Sequence, residues 1–289
     1  MVSEQRHTRL IEENVASNWL EDGLTVAIGE PAPMAMVRHI VRRGLKNLTV
    51  IGTGLALDLL IAAGCVRKVI SYYAGGGLGV PVAPAFRRAA EAGEIETWEC
   101  EEGILTSGLE AAGKGLPYLP WRGGVGTSLP DINPDLKLIS DPINGETLIA
   151  VPAIKPDLTL LHAAESDAYG NVRHCDGPGW IDLFLHRASA RTIVQVEKII
   201  SNEDIRSNPW TTTIGGADAV VRMPYGAHPF YSRGYYVQDV PFVQDYFSAA
   251  MVNGAELLHF LTYYCREPET HGDYLERIGI KRLLALNEY

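Results

Sequence analysis

The sequence predicts an α/β fold: an open, mostly parallel sheet with helices on both faces. Two observations predict it. Strand-like and helix-like segments alternate along most of the 289 residues, the pattern of repeated strand–helix–strand units. Apolar residues make up 46% and charged residues 21%, the balance of a chain that buries an ordinary globular core. No low-complexity segment, fixed-period repeat or clear linker interrupts the alternation. The expectation is therefore a single domain over residues 1–289, with the Pro-rich stretch 117–134 as the one place it could divide.

Taken in order, residues 3–17 have the pattern of a first helix. "DGLTVAIG" is a strand, with Leu24, Val26 and Ile28 alternating. "PMAMVRHIVRRG" is a helix opened by Pro33 and closed by Gly44. "NLTVIG" is a short apolar strand and "GLALDLLIAAG" a helix. "VRKVISYYA" leads into a glycine cluster, then the helix "APAFRRAAEAG". "IETWEC" is a strand and "EEGILTSGLEAAGKG" a helix. A loop-rich stretch, "LPYLPWRGGVGTSLPDINP", follows. Strands resume at "LKLISDP", "TLIAVPAI" and "DLTLLHA". "GWIDLFLHRASA" is helical, and "RTIVQVEKII" and "ADAVVRMPY" are strands. Residues 241–267 and "DYLERIG" are mostly helical.

Several function classes are disfavoured. The formal net charge of −10 argues against nucleic acid, whose phosphates call for clustered Lys and Arg. No apolar run approaches the roughly 20 residues that span a bilayer, and the charged N-terminus lacks a signal-peptide apolar region. A cytoplasmic location is expected. Cys65, Cys100, Cys175 and Cys265 lie far apart with no C-x-x-C pair, so neither a metal site nor a disulfide framework is expected.

Two glycine loops carry the candidate chemistry. In "YAGGGLGVP", Gly75, Gly76, Gly77 and Gly79 offer G-x-G-x-G, one residue short of a dinucleotide fingerprint and placed after the third strand instead of the first. Glycines let backbone approach a ligand closely, and amides opening the helix after Pro81 suit a carboxylate, a phosphate or a developing oxyanion. A turn made only to pack strand on helix is the competing reading. In "WRGGVGTSLP", Gly123, Gly124 and Gly126 expose amides beside Val125, and Thr127 and Ser128 add hydroxyls. Between the loops, Glu102, with its neighbour Glu101, sits at a strand-to-helix junction. A carboxylate there faces first-turn amides, the ordinary role of an N-terminal helix acid.

The ordered set "DGLTVAIG", "GGGLG", "EEGIL", "GLPYLPWRGGVGTSLP", "DLTLLHAAESDAYGNV" and "PYGAHP" resembles the alpha (A) subunit of family I CoA-transferases. The glutaconate CoA-transferase type is the most similar, and the alpha subunits of steroid-ring-opening CoA-thioester hydrolases are related. The likeness spans residues 8–286. It implies an active site shared with a B subunit, in a heterodimer or a dimer of heterodimers, whose glutamate attacks an acyl-CoA thioester. That glutamate belongs to a Glu-x-Gly type motif; "EENVAS" and "INGET" stand in the wrong context to supply it. No cofactor is implied beyond the CoA thioester itself, which is substrate, exchanged with a carboxylic or dicarboxylic acid.

The resemblance puts the loop from Gly75 to Gly79 beside the acyl group, and Gly124, Val125 and Gly126 on the CoA and acyl side of the cleft. The Glu102 position is Gln in succinate-type transferases and an acid in the ring-opening hydrolases, where it activates water. An ionised carboxylate cannot donate a hydrogen bond, so the exchange changes the chemistry, and Glu102 becomes the candidate catalytic residue. The family's first Gly-Gly-Phe motif is here "IGEPAP": Gly29 is kept, Glu30 replaces the second glycine, and the loop is shorter, which implies an altered acyl pocket. His228 is expected as a turn histidine, with the cleft or subunit interface as the alternative. His162 and His174 flank a turn and are expected to be structural. Glu197 is expected to be buried and paired. Non-catalytic acyl-CoA binding is the remaining alternative function.

Overall fold

The computed structural model describes residues 7–287. The first part of the chain runs α1 (Glu13–Ser17), β1 (Thr25–Ile28), α2 (Met34–Arg43), β2 (Leu48–Ile51), α3 (Gly54–Ala62), β3 (Val66–Ser71), α4 (Pro84–Glu91), β4 (Glu96–Glu99) and α5 (Glu102–Gly113). The middle part follows as β5 (Tyr118–Trp121), α6 (Leu129–Ile132), β6 (Lys137–Ser140), β7 (Thr147–Pro152), β8 (Leu158–Ser166), β9 (Asn171–Arg173), α7 (Asp182–Ala188) and β10 (Arg191–Ile199). The last part is α8 (Asn202–Ser207), β11 (Thr212–Gly215), β12 (Ala219–Arg222), α9 (Val240–Val252), α10 (Ala255–Leu261), α11 (His271–Ile278) and α12 (Ile280–Ala285).

The predicted parallel sheet is present, with strands in the order β4-β3-β2-β1-β8-β10-β12. Alternate side chains point to opposite faces of a strand, and both faces are covered. Val26, Ile28, Val50 and Val69 enter a core with α2, α3 and α9, while Ala27, Ile51 and Ile70 enter a second core with α5 and α7. The chain builds outward from β1 in one direction through β4, then returns to build from β8 in the other. The sheet's switch point therefore lies between β1 and β8, where α/β sheets place ligands beyond their strands' carboxyl ends. Among the described residues, no helix is long and apolar enough to cross a membrane.

Three expectations need correction. The helix expected over 3–17 is only Glu13–Ser17, and residues 3–6 lie outside the described ones. Arg9 to Ile11 instead run extended along β12, with Val220 N–H bonded to Arg9 O at 2.8 Å and Ile11 N–H to Val220 O at 2.9 Å. That arm covers what would be an open sheet edge. The strands "LKLISDP" and "TLIAVPAI" do not join the parallel sheet. They form a separate antiparallel sheet, β5-β7-β6, which packs Ile149 and Val151 against Ile104, Leu105 and Leu109. Part of the expected loop is thus β5, an edge strand, where Pro120 is tolerated.

The third correction concerns the amides after Pro81. They do not point at an open site. Asp58 of α3, fully buried, accepts from Phe86 N–H at 2.8 Å in the first turn of α4 and from the Tyr246 hydroxyl of α9 at 2.8 Å. One carboxylate ties three helices together, although burial pushes its pKa up. Asp58→Ala would leave both donors buried without partners, and should destabilise the fold by about 3 kcal/mol. Tyr246→Phe, which removes one donor and leaves the carboxylate its amide, should cost about 1 kcal/mol by chemical denaturation.

Candidate active site

Four adjacent parallel strands deliver the residues of the site. The chain leaves β1 at Gly29-Glu30, β2 at Gly52-Thr53, β3 at Tyr72-Tyr73 and β4 at Cys100-Glu101-Glu102. The Glu30 carboxylate accepts from the Thr53 hydroxyl at 2.9 Å and lies 3.4 Å from the Tyr72 hydroxyl, which points its proton at the same oxygen. Burial, then the negative charges of Glu30 and Glu102, push the Tyr72 phenol up to about 12. Tyr72 is therefore a neutral hydrogen-bond donor facing Glu30. Trp180 meets its ring edge-on at 5.5 Å.

The end of β1 is held from below by Asp182, the first residue of α7. This buried carboxylate accepts from Glu30 N–H at 2.9 Å and Gly179 N–H at 3.1 Å. A Cβ at Gly29 would lie 2.5 Å from Leu161 and 2.6 Å from Asp182, so only glycine fits there. Burial, with the charge of Glu30 adding to it, pushes the Asp182 carboxyl up to about 7, against the two amides that lower it.

The glycine stretch is a miniature hairpin. Val80 N–H bonds Gly77 O at 2.9 Å and Gly76 N–H bonds Val80 O at 3.0 Å. Leu78 and Gly79, at φ 48° and 84°, are the two central residues of the turn, both left-handed as a two-residue hairpin demands. Gly75, Gly76 and Gly77 line a cavity of about 320 Å³ together with Glu30, Thr53 and Phe230; Gly79 sits at the turn tip and does not. A second cavity of about 330 Å³ lies on the other side of Glu30, Pro31 and Tyr231, bounded by His162, His174 and Trp180.

The two adjacent glutamates have divided roles. Glu101, not Glu102, faces the first-turn amides of α5. Its carboxylate accepts from Gly103 N–H at 2.7 Å, Ile104 N–H at 2.8 Å and the Trp121 indole N–H at 2.7 Å. Glu102 is exposed at the helix's first position, with its charge felt by Tyr72. The loop of Gly124, Val125 and Gly126 lies over the α5 start: a Cβ at the preceding Gly123 would meet the Trp121 indole nitrogen at 2.4 Å and Glu101 at 3.1 Å. These three residues and Glu102 line neither cavity. The Thr127 hydroxyl is engaged within its own turn, donating to Gly124 O at 2.7 Å and accepting from Leu129 N–H at 3.2 Å.

The other singled-out residues are structural. His228 is fully buried between the Tyr274 hydroxyl at 2.6 Å and Asp239 at 3.0 Å. His162 bonds Ser232 and Gln195, and burial lowers its pKa to about 3; burial lowers that of His174 to about 4. Both are neutral at pH 7, although they border the second cavity. Glu197 is buried, takes the Tyr236 hydroxyl and Tyr225 N–H, and is pushed up to about 7 by burial. Glu13 of "EENVAS" is bound to His39 and the His271 amide, and Glu146 of "INGET" pairs with Arg122. Among the described residues, no cluster of His, Cys, Asp and Glu could hold a metal.

With this geometry in view, comparisons with known proteins are specific. The coenzyme A transferase family model matches residues 11–220. The chain belongs to the coenzyme A transferase family. The A subunit of glutaconate CoA-transferase from Acidaminococcus fermentans is 30% identical, over 95% of this chain and 92% of that one. The crystal structure of glutaconate CoA-transferase from that organism superposes with a TM-score of 0.92, covering 98% of this chain and 96% of that one. The cholesterol ring-cleaving hydrolase IpdA subunit of Mycobacterium tuberculosis is 36% identical over 80% of this chain and 84% of its own. An Archaeoglobus fulgidus protein is 34% identical over 95% of this chain, which spans 63% of that protein's length. This chain is thus similar in sequence to a CoA-transferase A subunit and in fold to a glutaconate CoA-transferase.

Sequence reasoning missed Tyr72, Thr53, Asp182 and Trp180. The first two follow β3 and β2 directly, and that position at a parallel strand's carboxyl end was the available signal. Asp182 in "GWIDLF" had none.

Two outcomes follow for stability. Glu101→Ala should destabilise the protein by about 1–2 kcal/mol through loss of the cap, while Glu102→Ala should stay within about 0.5 kcal/mol, in parallel denaturant melts. Asp182 has a folded-state pKa near 7 against 3.8 for the free side chain, so its contribution is intact below about pH 4 and is lost progressively as pH rises from there to about 7. The stability of Asp182→Asn relative to the parent should therefore improve between pH 4 and pH 7, by on the order of 2 kcal/mol.

Proposed function

We propose that this chain is the A subunit of a two-subunit enzyme that moves CoA between carboxylic acids. A B subunit supplies the nucleophilic glutamate, and the site lies where the two meet. The observation that carries the proposal is the set of Glu30, Thr53, Tyr72 and Glu102 just beyond the ends of four neighbouring parallel strands, with Glu30 and Thr53 lining a cavity walled by Gly75, Gly76 and Gly77. Relatives named as A subunits of CoA-transferases support the need for a B partner. In this reading the B carboxylate attacks the thioester carbonyl and CoA thiolate leaves, forming an anhydride. The thiolate then attacks the glutamyl carbonyl and releases the acid. The glycine hairpin walls the acyl chain, the loop of Gly124, Val125 and Gly126 borders the CoA side, and Glu102 is the catalytic carboxylate beside the reacting carbonyl.

A second reading is favoured by one specific observation. Because Glu101 occupies the α5 amides, the exposed Glu102 is left as an available acceptor just beyond β4, able to take a proton from water. The reaction is then hydrolysis in a CoA-linked ring, as the name of the IpdA relative indicates for that protein.

The purified A/B complex separates them. The first reading expects CoA on the acceptor acid only when this chain, its B partner and that acid are all present; transfer by this chain alone overturns it. Under the second, turnover needs no acceptor and falls about 100-fold or more in Glu102→Gln. Unchanged turnover in that variant removes Glu102 from catalysis.

A further inference from the structure

The cavity lined by the glycine hairpin has a one-sided charge. Its apolar wall includes Ile28, Leu55, Phe230 and Val243. Of the described residues that line it, Glu30 is the one carrying a full charge, and no Lys, Arg or His faces it. The Glu30 carboxylate is not a free surface group that can swing away. Its backbone N–H is held by buried Asp182, and its oxygen takes the Thr53 hydroxyl at 2.9 Å and faces the Tyr72 hydroxyl at 3.4 Å. Arg233 lies in the neighbouring cavity, 3.5 Å from Asp176, with which it is paired.

We infer that Glu30 is a specificity-determining residue: it excludes acyl groups whose far end carries a carboxylate and selects acyl groups with an uncharged chain. The inference rests on the CoA-transferase reading for the acyl thioester, and narrows it from carboxylic acids in general to monocarboxylic ones. A carboxylate entering this cavity would lose water, find no cation, and meet a like charge held in place by its neighbours. Juxtaposed like charges in a partly desolvated site are a strong discriminator. Uncharged methylene groups instead meet the apolar wall and bring no like charge to Glu30.

Two size-matched probes test this on the A/B complex, butyryl-CoA and succinyl-CoA, which differ in a terminal methyl against a terminal carboxylate. Both kcat/KM with acetate as acceptor and Kd by calorimetry are measured. The parent complex should favour butyryl-CoA by at least roughly tenfold in both. Glu30→Gln, which keeps the shape and the Thr53 contact, should shrink that ratio by roughly tenfold. Gln238→Arg, at the same cavity and clear of the Asp182 anchor, should move the ratio in the same direction by supplying a cation. Preference of the parent for succinyl-CoA, or a ratio unmoved in both variants, overturns the inference. Discrimination in Kd without CoA transfer sustains the charge selection and sinks the transferase reading. Transfer without discrimination does the reverse, and absence of binding by either probe overturns both.

Discussion

The buried Asp182 carboxylate, bonded to the amides of Glu30 and Gly179, is the contact on which the rest of the site depends. It sits at the sheet's switch point, where chain direction away from β1 reverses and no neighbouring crossover fills the space beyond the strands. Holding a carboxylate there at full burial is unfavourable, and its raised pKa records the cost. What it secures is position. Gly29 has no room for a Cβ, Glu30 is fixed as the divider of two cavities, and Thr53 and Tyr72 take their orientation from Glu30.

Charge distribution at the cleft follows from similar local rules. Helix ends attract carboxylates, and an acid there is usually consumed by the first-turn amides. Here three ends are filled by dedicated residues: Asp58 for α4, Glu101 for α5 and Asp239 for α9. Because Glu101 also takes the Trp121 indole, it locks the second glycine loop to the α5 start. Glu102 is relieved of structural duty. The charges of Glu30 and Glu102 both add to burial in keeping the Tyr72 phenol neutral.

The likeness to a glutaconate enzyme and to a ring-cleaving hydrolase subunit shows how much chemistry one framework accommodates. The framework is the parallel sheet with its strand ends. Glu30 and Glu102 stand just beyond the ends of β1 and β4, at positions where the resemblance expects a glycine and an amide. Substrate choice and reaction type can thus change without disturbing the core, since neither side chain is part of it.

From the sequence alone, the α/β class, most strands and helices of the parallel sheet and the A-subunit resemblance were legible. Apolar runs, Pro33 and Gly44 at the ends of α2, and glycine spacing are local signals that a short window contains. The two-residue hairpin within "GGGLG" does not belong here, since it puts Leu78 at a positive φ that a leucine does not announce. Tertiary structure decided what depended on distant partners. Leu10 pairs with Val220 and not within a helix, because an edge strand far along the chain needed covering. The amides after Pro81 belong to Asp58, and those of α5 to Glu101 instead of its neighbour. Two adjacent glutamates look alike in a sequence; that Glu101, and not Glu102, turns to the helix amides is settled only when Trp121 arrives from β5 to take its place beside it.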